Sequence, residues 1–336
     1  MPLTARVARP LFHAAAAACL LGTLALPAGA QPLPPKNGFP SQTIKFMSPF
    51  PPGGGNDGTT RLVSTRLPEI TGQPAVVENR GGAGGNIGAK AVAEAKPDGY
   101  TVLTAQVSVM AVNPALYASA GFDPLKDFIP ITQINAAPLA LVVREASPYK
   151  TFADLAARAK ASAGSVTYAT PGNGTLSHLV GVVLNKDSGI DMTHVPYKGA
   201  GPAITDLLGG QVDLLVTSTS SIAGMLQTGK MRALAVTSPR RLGVFANVPT
   251  LEELGYKNAR FEDWYGMFAP AGTPPDRIAY LNEAIVRTLR LPEVTKAIND
   301  GGSEVVANSP DAFAKQMRED IERWGRVVKL SGAKVD

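Results

Sequence analysis

The chain has 336 residues, of which 45% are hydrophobic and 18% charged, with a formal net charge of +5 at pH 7. So mild a positive excess, spread along the sequence, lacks the clustered basic footprint of a nucleic-acid binder and suits the attraction of small anions. The length suggests two domains, and a core of that size needs no disulfides; the one cysteine, Cys19, has no partner to form one.

The first thirty residues read as an export signal. Arg6 and Arg9 supply a positive n-region, and Leu11 to Leu26 is apolar apart from His13 and Thr23. Ala28-Gly29-Ala30 is a small-residue cleavage site, so residues 1–30 are expected to be removed near Ala30 and the protein to be periplasmic. The apolar run is short for a spanning helix and Pro27 ends it. Arg6 and Arg9 are not adjacent, which argues against a twin-arginine route. Ala16 stands where a lipoprotein signal usually carries Leu, which argues against lipidation at Cys19. No later apolar run approaches spanning length.

Gln31 to Pro40, with four prolines, reads as a flexible lead-in. Strand-like and helix-like runs then alternate. Ile44–Met47 predicts a strand, Thr59–Leu67 a helix, Ala75–Glu78 a strand and Asn86–Lys96 a helix of small residues. Pro97-Asp98-Gly99 is a turn; Tyr100–Ala105 is a strand, and Ser108–Tyr117 starts a helix. Pro138–Arg144 opens a second unit. Thr151-Phe152-Ala153-Asp154 is a capping box for a helix to Ala163. Ser165–Thr170 is a strand and Thr175–Lys186 a helix. Val212–Thr217 and Arg232–Thr237 are strands, and Thr250-Leu251-Glu252-Glu253 is another capping box. The apolar run Phe261–Ala269 leads to a helix from Pro274-Pro275 through Leu289. A last helix starts near Ser309-Pro310. This alternation argues for α/β layers around a largely parallel sheet.

Two glycine turns carry the chemistry. Pro49-Phe50-Pro51-Pro52-Gly53-Gly54-Gly55-Asn56-Asp57 joins a strand to a helix start, where free backbone N–H groups and the helix dipole hold an anion without a cationic side chain. Thr170-Pro171-Gly172-Asn173-Gly174-Thr175 repeats the arrangement, with Thr175 placed to cap the helix and His178 one turn in. Two such cradles facing each other across a cleft would close on a ligand. Asp57 reads most simply as a helix N-cap. Gln106 and Ser108 follow a strand end, where open α/β sheets bind ligands. Tyr197 is placed to pack on a ligand or a hinge, and Lys198 either pairs with a carboxylate or is solvated. Ser218, in the hydroxyl run Thr217 to Ser221, either donates into the cleft or caps the next helix. Asn79 to Gly88 is a further glycine loop, for packing or for ligand proximity. Trp264 and Tyr265 read as core, and His194 as structural.

Other classes leave weaker traces. Gly53-x-Gly55-x-x-Gly58, with Glu78 beyond, formally matches a dinucleotide fingerprint, the best enzyme reading of the chain. Pro49, Pro51 and Pro52 make the turn longer and stiffer than that motif, and Asp57 would set a carboxylate beside the pyrophosphate. There is no Gly-x-Ser-x-Gly elbow and no metal-ligand spacing of His or Cys. No catalytic residue, metal or cofactor is expected.

The ordered set of motifs resembles the Bug receptors, the TctC-like substrate-binding proteins of tripartite tricarboxylate transporters. The pieces are Pro49-Phe50 with Gly53-Gly54-Gly55 and Asp57; Val77-Glu78-Asn79-Arg80 with Gly82-Ala83-Gly84-Gly85; Pro97-Asp98-Gly99-Tyr100-Thr101; Val195-Pro196-Tyr197-Lys198-Gly199; Gly209-Gly210-Gln211-Val212-Asp213; Val248-Pro249-Thr250; and Ala269-Pro270-Ala271-Gly272-Thr273-Pro274. The resemblance implies a type II-like periplasmic binding-protein fold of two α/β domains joined by two crossovers. The expected division is 41–137 with 262–336 for one domain and 138–261 for the other. It also implies a small carboxylate or amide ligand at Phe50–Asn56 and Thr170–Thr175, a membrane permease as partner, and a monomer. Asn56 and Asn173 depart from the commoner residues of those cradles, so the resemblance does not specify the substrate.

Overall fold

β4 (Phe128–Arg144) organises the molecule. A computed structural model describes Met1 and residues 32–238, 240–241, 245–259 and 261–331. The export segment, with Cys19 and the cleavage site at Ala30, lies outside the described residues. β4 is 17 residues long and runs through two half-sheets. Its first part pairs antiparallel with β9 (Glu262–Pro270), with Ala136 opposite Trp264. Its last part pairs with β7 (Leu214–Ser218), Leu141 opposite Val216, and with β8 (Met231–Val236), Val143 opposite Arg232.

The outer strands on both sides are parallel. β1 (Ile44–Ser48) lies between β2 (Ala75–Asn79) and β3 (Thr101–Gln106), and β3 pairs antiparallel with β9. β5 (Val166–Thr170) lies between β6 (Met192–Pro196) and β7. The short β10 (Glu304–Val305) pairs with β4. The sheet is therefore parallel at its wings and antiparallel at its centre, against the expectation of a largely parallel sheet. The reason is the path of the chain. β4 carries it from one half to the other and β9 brings it back, so the two must run in opposite senses.

Helices cover the parallel strands, of which the inner β3, β5 and β7 are almost wholly buried while the edge strands β2 and β6 are partly exposed. α1 (Gly55–Thr71) is longer than the pattern predicts and buries Val63, Leu67 and Ile70, spaced four and three apart on one face. α2 is Asn86–Ala93 and α3 Asn113–Leu116, the latter preceded by one wide π-helical turn, Ser108–Val112. α4 (Phe152–Ala161) starts on the predicted capping box, Thr151 and Asp154 exchanging both bonds. α5 is Leu176–Ser188, α6 Ala200–Gly209 and α7 Thr219–Gln227. Thr250 and Glu253 also exchange both bonds, at 2.9 and 3.0 Å, but the chain turns there without becoming an α-helix. α8 (Pro275–Leu289), α9 (Pro292–Asp300) and α10 (Pro310–Ser331) follow β9. α10 packs back on the centre: Trp324 stacks on Phe261 at 5.3 Å, and Asp320 accepts the Trp264 indole N–H at 2.8 Å.

Within residues 32–40, where the prolines suggest a flexible lead-in, Leu33, Phe39 and Pro40 are buried and tie the segment to the fold. Leu33 donates its N–H to the Ile70 carbonyl at 2.6 Å. Phe39 is buried between Tyr100 and Tyr280, with the Arg277 guanidinium over its ring. An aromatic of that size buried in the core outweighs the disordering effect of its proline neighbours. Residues from Pro32 onward form one compact unit.

Candidate functional site: a cavity at four helix N-termini

The turn after β1 has few backbone donors, and two of them, the Gly53 and Gly55 N–H groups, are taken within the protein. Pro49, Pro51 and Pro52 have no N–H to give to the sheet. Gly53 has φ +91°, a conformation a side chain would strain, and Gly54 is extended and forms the N-cap of α1 without a side-chain hydrogen bond. Asp57 is therefore not the N-cap. It sits at the third helical position and reaches back to accept the Gly53 N–H at 3.1 Å. It also accepts from Arg61 at 3.0 Å and Asn79 at 2.8 Å. Burial acts to raise the Asp57 carboxyl, but the bonds from Arg61, Asn79 and Gly53 outweigh it and hold the group below the usual carboxylate range. Asn56 is equally engaged: its amide donates to the Thr104 carbonyl at 3.0 Å and its Oδ1 accepts from Ser48 at 2.8 Å.

The N-terminal end of α1 borders a small cavity of about 30 Å³, room for about one water molecule. Gly54, Gly55 and Asn56 reach it from α1, Ser177 from α5, Ala200 from α6, and Ser218 and Ser221 from α7. Four helix N-termini thus meet at one point. Those of α1, α6 and α7 have no side-chain cap. α5 is capped by Thr175, which accepts the His178 N–H at 3.3 Å. Phe50, Gln106, Pro171, Thr217, Asp263 and Tyr265 complete the wall, which contains no lysine, arginine or histidine.

The two halves touch through hydroxyls. Gly55 donates its N–H to Ser221 Oγ at 2.8 Å; Tyr265 Oη and Ser221 Oγ each lie 2.9 Å from Ser218 Oγ. A Cβ on Gly55 would lie 2.5 to 2.7 Å from Ser220, Ser218 and Tyr265 oxygens. Gly55→Ala is expected to force this cluster apart and destabilise the fold by about 1–3 kcal/mol. Denaturant unfolding reads it, and an unchanged midpoint would show that the hydroxyls do not hold that close contact.

A wider cleft of about 330 Å³ lies outside the cavity. Phe50 and Pro171 line both spaces and form the partition between them. Pro51, Gly172, Asn173, Tyr197, Lys198 and the loop Gly82–Gly85 line the outer cleft. Tyr117 Oη donates to the Asn173 carbonyl across it at 3.2 Å. The glycine loop packs closely, with Gly88 against Pro49 and Arg80, and its Gly82–Gly85 stretch lines this cleft. Lys198 is exposed. The Tyr197 hydroxyl donates to Asp206 at 2.7 Å, and burial together with that bond pushes it up to about 12.

Other residues singled out from the sequence support the walls from behind. Gly53 and Asp57 face Arg61 and Asn79. Ser108 accepts from the Gln106 amide at 3.0 Å. Thr170 bonds His194 Nε2 at 2.7 Å, and Gly174 donates to His178 Nδ1 at 3.3 Å. The rings of Tyr168, His194 and His178 form a stack beneath the second turn, with centroid spacings of 4.8 and 4.2 Å. Burial lowers both imidazoles, and the neighbouring His178 adds to the effect on His194, which falls to about 3.

Sequence reasoning missed Ser177, Ala200, Thr217, Ser221, Asp263 and Tyr265 as cavity residues. Thr217 and Ser221 stood in the hydroxyl run already noted. Asp263 had its own signal, a carboxylate at the start of an apolar and aromatic run, although the adjacent Glu262 masks it. Tyr265, read as core, is buried but turns its hydroxyl to the serine cluster.

Two half-sheets joined by β4 and β9, with helix N-termini from both meeting at one cavity, define a periplasmic binding protein of the type II-like class. Residues 59–333 match the family described as "TctC: Tripartite tricarboxylate transporter family receptor", and the chain belongs to that family. It is similar to BugT of Bordetella pertussis, 36% identical over 298 residues, covering 88% of this chain and 91% of BugT. Its fold is similar to that of an R. palustris protein solved with adipate, at 32% identity and TM-score 0.85, covering 88% of this chain and all of that one. It is likewise similar to MatC of Rhodopseudomonas palustris with bound malate, at 33% identity and TM-score 0.82, covering 86% and 100%. The family is one of binding receptors, so the chain is a solute-binding receptor and the dinucleotide enzyme reading falls. The structure gives a reason: the Gly53 and Gly55 N–H groups of the apparent fingerprint are already taken by Asp57 and Ser221. Among the described residues no helix is long and apolar enough to cross a membrane.

Proposed function

We propose that this receptor, exported and cleaved near Ala30, captures a small carboxylate at the meeting point of α1, α5, α6 and α7 and delivers it to a tripartite-type permease. One observation carries the reading: four helix N-termini converge on a cavity whose wall holds no cationic side chain. Each N-terminus favours an anion by about 0.3–1 kcal/mol, and up to about 2 when partly buried. Several acting together approach the roughly 8 kcal/mol of micromolar binding. Adipate and malate in the two similar structures are small dicarboxylates, which supports the ligand class. A cavity of about 30 Å³ does not hold such a molecule, so the halves must part about β4 and β9 to admit it. The two moving bodies would be residues 41–137 with 262–336, and 138–261, in a monomer.

Mass spectrometry of the ligand released from natively purified protein tests the proposal, together with thermal-shift screening of carboxylates on ligand-freed protein. A carboxylate in the released fraction is expected, with its reapplication at a hundred times Kd adding about 2.7 kcal/mol of stability. Release of no carboxylate, and no shift with any acid in the screen, would overturn the reading.

A further inference from the structure

We propose that Asp263 sets the specificity of this site, selecting carboxylates that carry a hydrogen-bond donor close to the acid group, an ammonium above all. The inference rests on the reading of the cavity as a carboxylate site and names what the rest of the ligand must offer. Asp263 is 2% exposed, lies on β9 opposite Ala137, and lines the cavity beside Ser218 and Thr217. A carboxylate inside a sheet, with no ion-pair partner among the described residues, costs several kcal/mol. Along β9 it stands between the exposed Glu262 and the buried Trp264, neither of which supplies a cation. Its known partners are two backbone donors, the N–H groups of Trp264, at 2.9 Å, and Val107. Two carboxylate oxygens accept about four bonds, so acceptor capacity remains on a group that lines the cavity. Thr217 Oγ1, in the same wall, is buried and has no partner among the described residues.

The wall of the site is therefore of two kinds. The helix N-termini favour negative charge. Asp263 opposes a second carboxylate beside it and favours a positive or donating group. A ligand that joins the two features, such as an α-amino acid, satisfies both, and its ammonium compensates the buried acid. A hydroxyl in the same place donates one bond but leaves the charge uncompensated. A plain diacid satisfies only the helices.

Calorimetry on ligand-freed protein, with acids matched in skeleton, tests the assignment: aspartate, malate and succinate; glutamate, 2-hydroxyglutarate and glutarate; alanine, lactate and propionate. In the skeleton that binds best, the amino acid is expected to bind at least about tenfold tighter than the plain acid, with the hydroxy acid between them. Asp263→Asn and Asp263→Ser are expected to bring that ratio within about threefold while the plain acid still binds. The ratio in the unaltered protein decides the matter even where a variant fails to fold. A plain acid that binds as well as its amino partner overturns this inference and leaves the carboxylate reading intact. So does a ratio that persists in both variants. Binding of no acid in any skeleton overturns both.

Discussion

Gly54→Pro is expected to weaken anion binding by a factor of about ten to a hundred, whereas Lys198→Ala weakens it by less than about tenfold. The first removes one N–H from the end of α1 that reaches the cavity. A hydrogen bond to a charged group contributes about 1.5–3 kcal/mol, and each 1.4 kcal/mol is a factor of ten. The position accepts the change in other respects. Gly54 has φ −91°, near the range proline imposes, and a Cβ there would meet Ala200 at an ordinary 3.6 Å. Gly54→Ala keeps the N–H and is the control, with affinity close to that of the unaltered protein. Gly53 at φ +91° precedes the new proline, so a melting curve accompanies each titration. Lys198 is an exposed cation on the outer cleft, and such charges contribute about 0–1 kcal/mol. The opposite ranking in calorimetry would show that a side-chain charge, and not the backbone, holds the anion.

Folding stability is expected to carry two pH dependences of opposite sign. Burial pushes Asp263 up to about 7 from an ordinary value of 3.8, against the pull of the Trp264 and Val107 N–H groups. A group raised in the folded state contributes stability that is complete below the unfolded value and lost as pH rises through the folded one. At pH 8 the charged, buried Asp263 therefore costs at most about 4 kcal/mol. The histidines act the other way. Both are held below their ordinary 6.5, so the unfolded chain takes up protons first and stability falls as pH drops below that value. Each is partly open to solvent, so screening reduces the loss. The two arms oppose each other, so the unaltered protein should vary less between pH 5 and 8 than either variant. Asp263→Asn should gain stability toward pH 8 and lose it toward pH 5, whereas His194→Gln should move the other way. Urea unfolding of the three proteins at pH 5, 6.5 and 8 measures this. An Asp263→Asn profile parallel to that of the unaltered protein would remove Asp263 from the account.

The acid arm also touches binding. His178 Nδ1 accepts the Gly174 N–H, which fixes its proton on Nε2. Protonation would put a donor against a donor in the second turn, next to Asn173 in the outer cleft. Loosening of that turn is the structural counterpart of the lost stability.

Much of this protein was written in local chemistry. The strand before each glycine turn, the proline-bounded loops and the α4 capping box depend on nearest neighbours and were readable from the residues. So were the two cradles, because a strand, a glycine turn and a helix start are contiguous in the chain. The boundaries of α1 were not, since its first turn is Gly55-Asn56-Asp57-Gly58, a poor helix sequence that tertiary contacts hold in place. Asp57 misled for a related reason. Its residue type suits a cap, but it sits at the third helical position and accepts from Gly53, Arg61 and Asn79, the last of them 22 residues away.

The sequence by itself determined the α/β class and the two strand–glycine turn–helix segments, because each rests on residues adjacent in the chain. Only the tertiary structure decided that α6 and α7 add two more N-termini and that serines close the halves on each other. It alone placed Asp263 in the wall of the cavity they share. Those features join residues brought together from both half-sheets, and no local pattern records which side of a strand will face a cavity. The antiparallel centre of the sheet has the same origin: it follows from β4 leaving one half and β9 returning to it, a matter of the path of the whole chain.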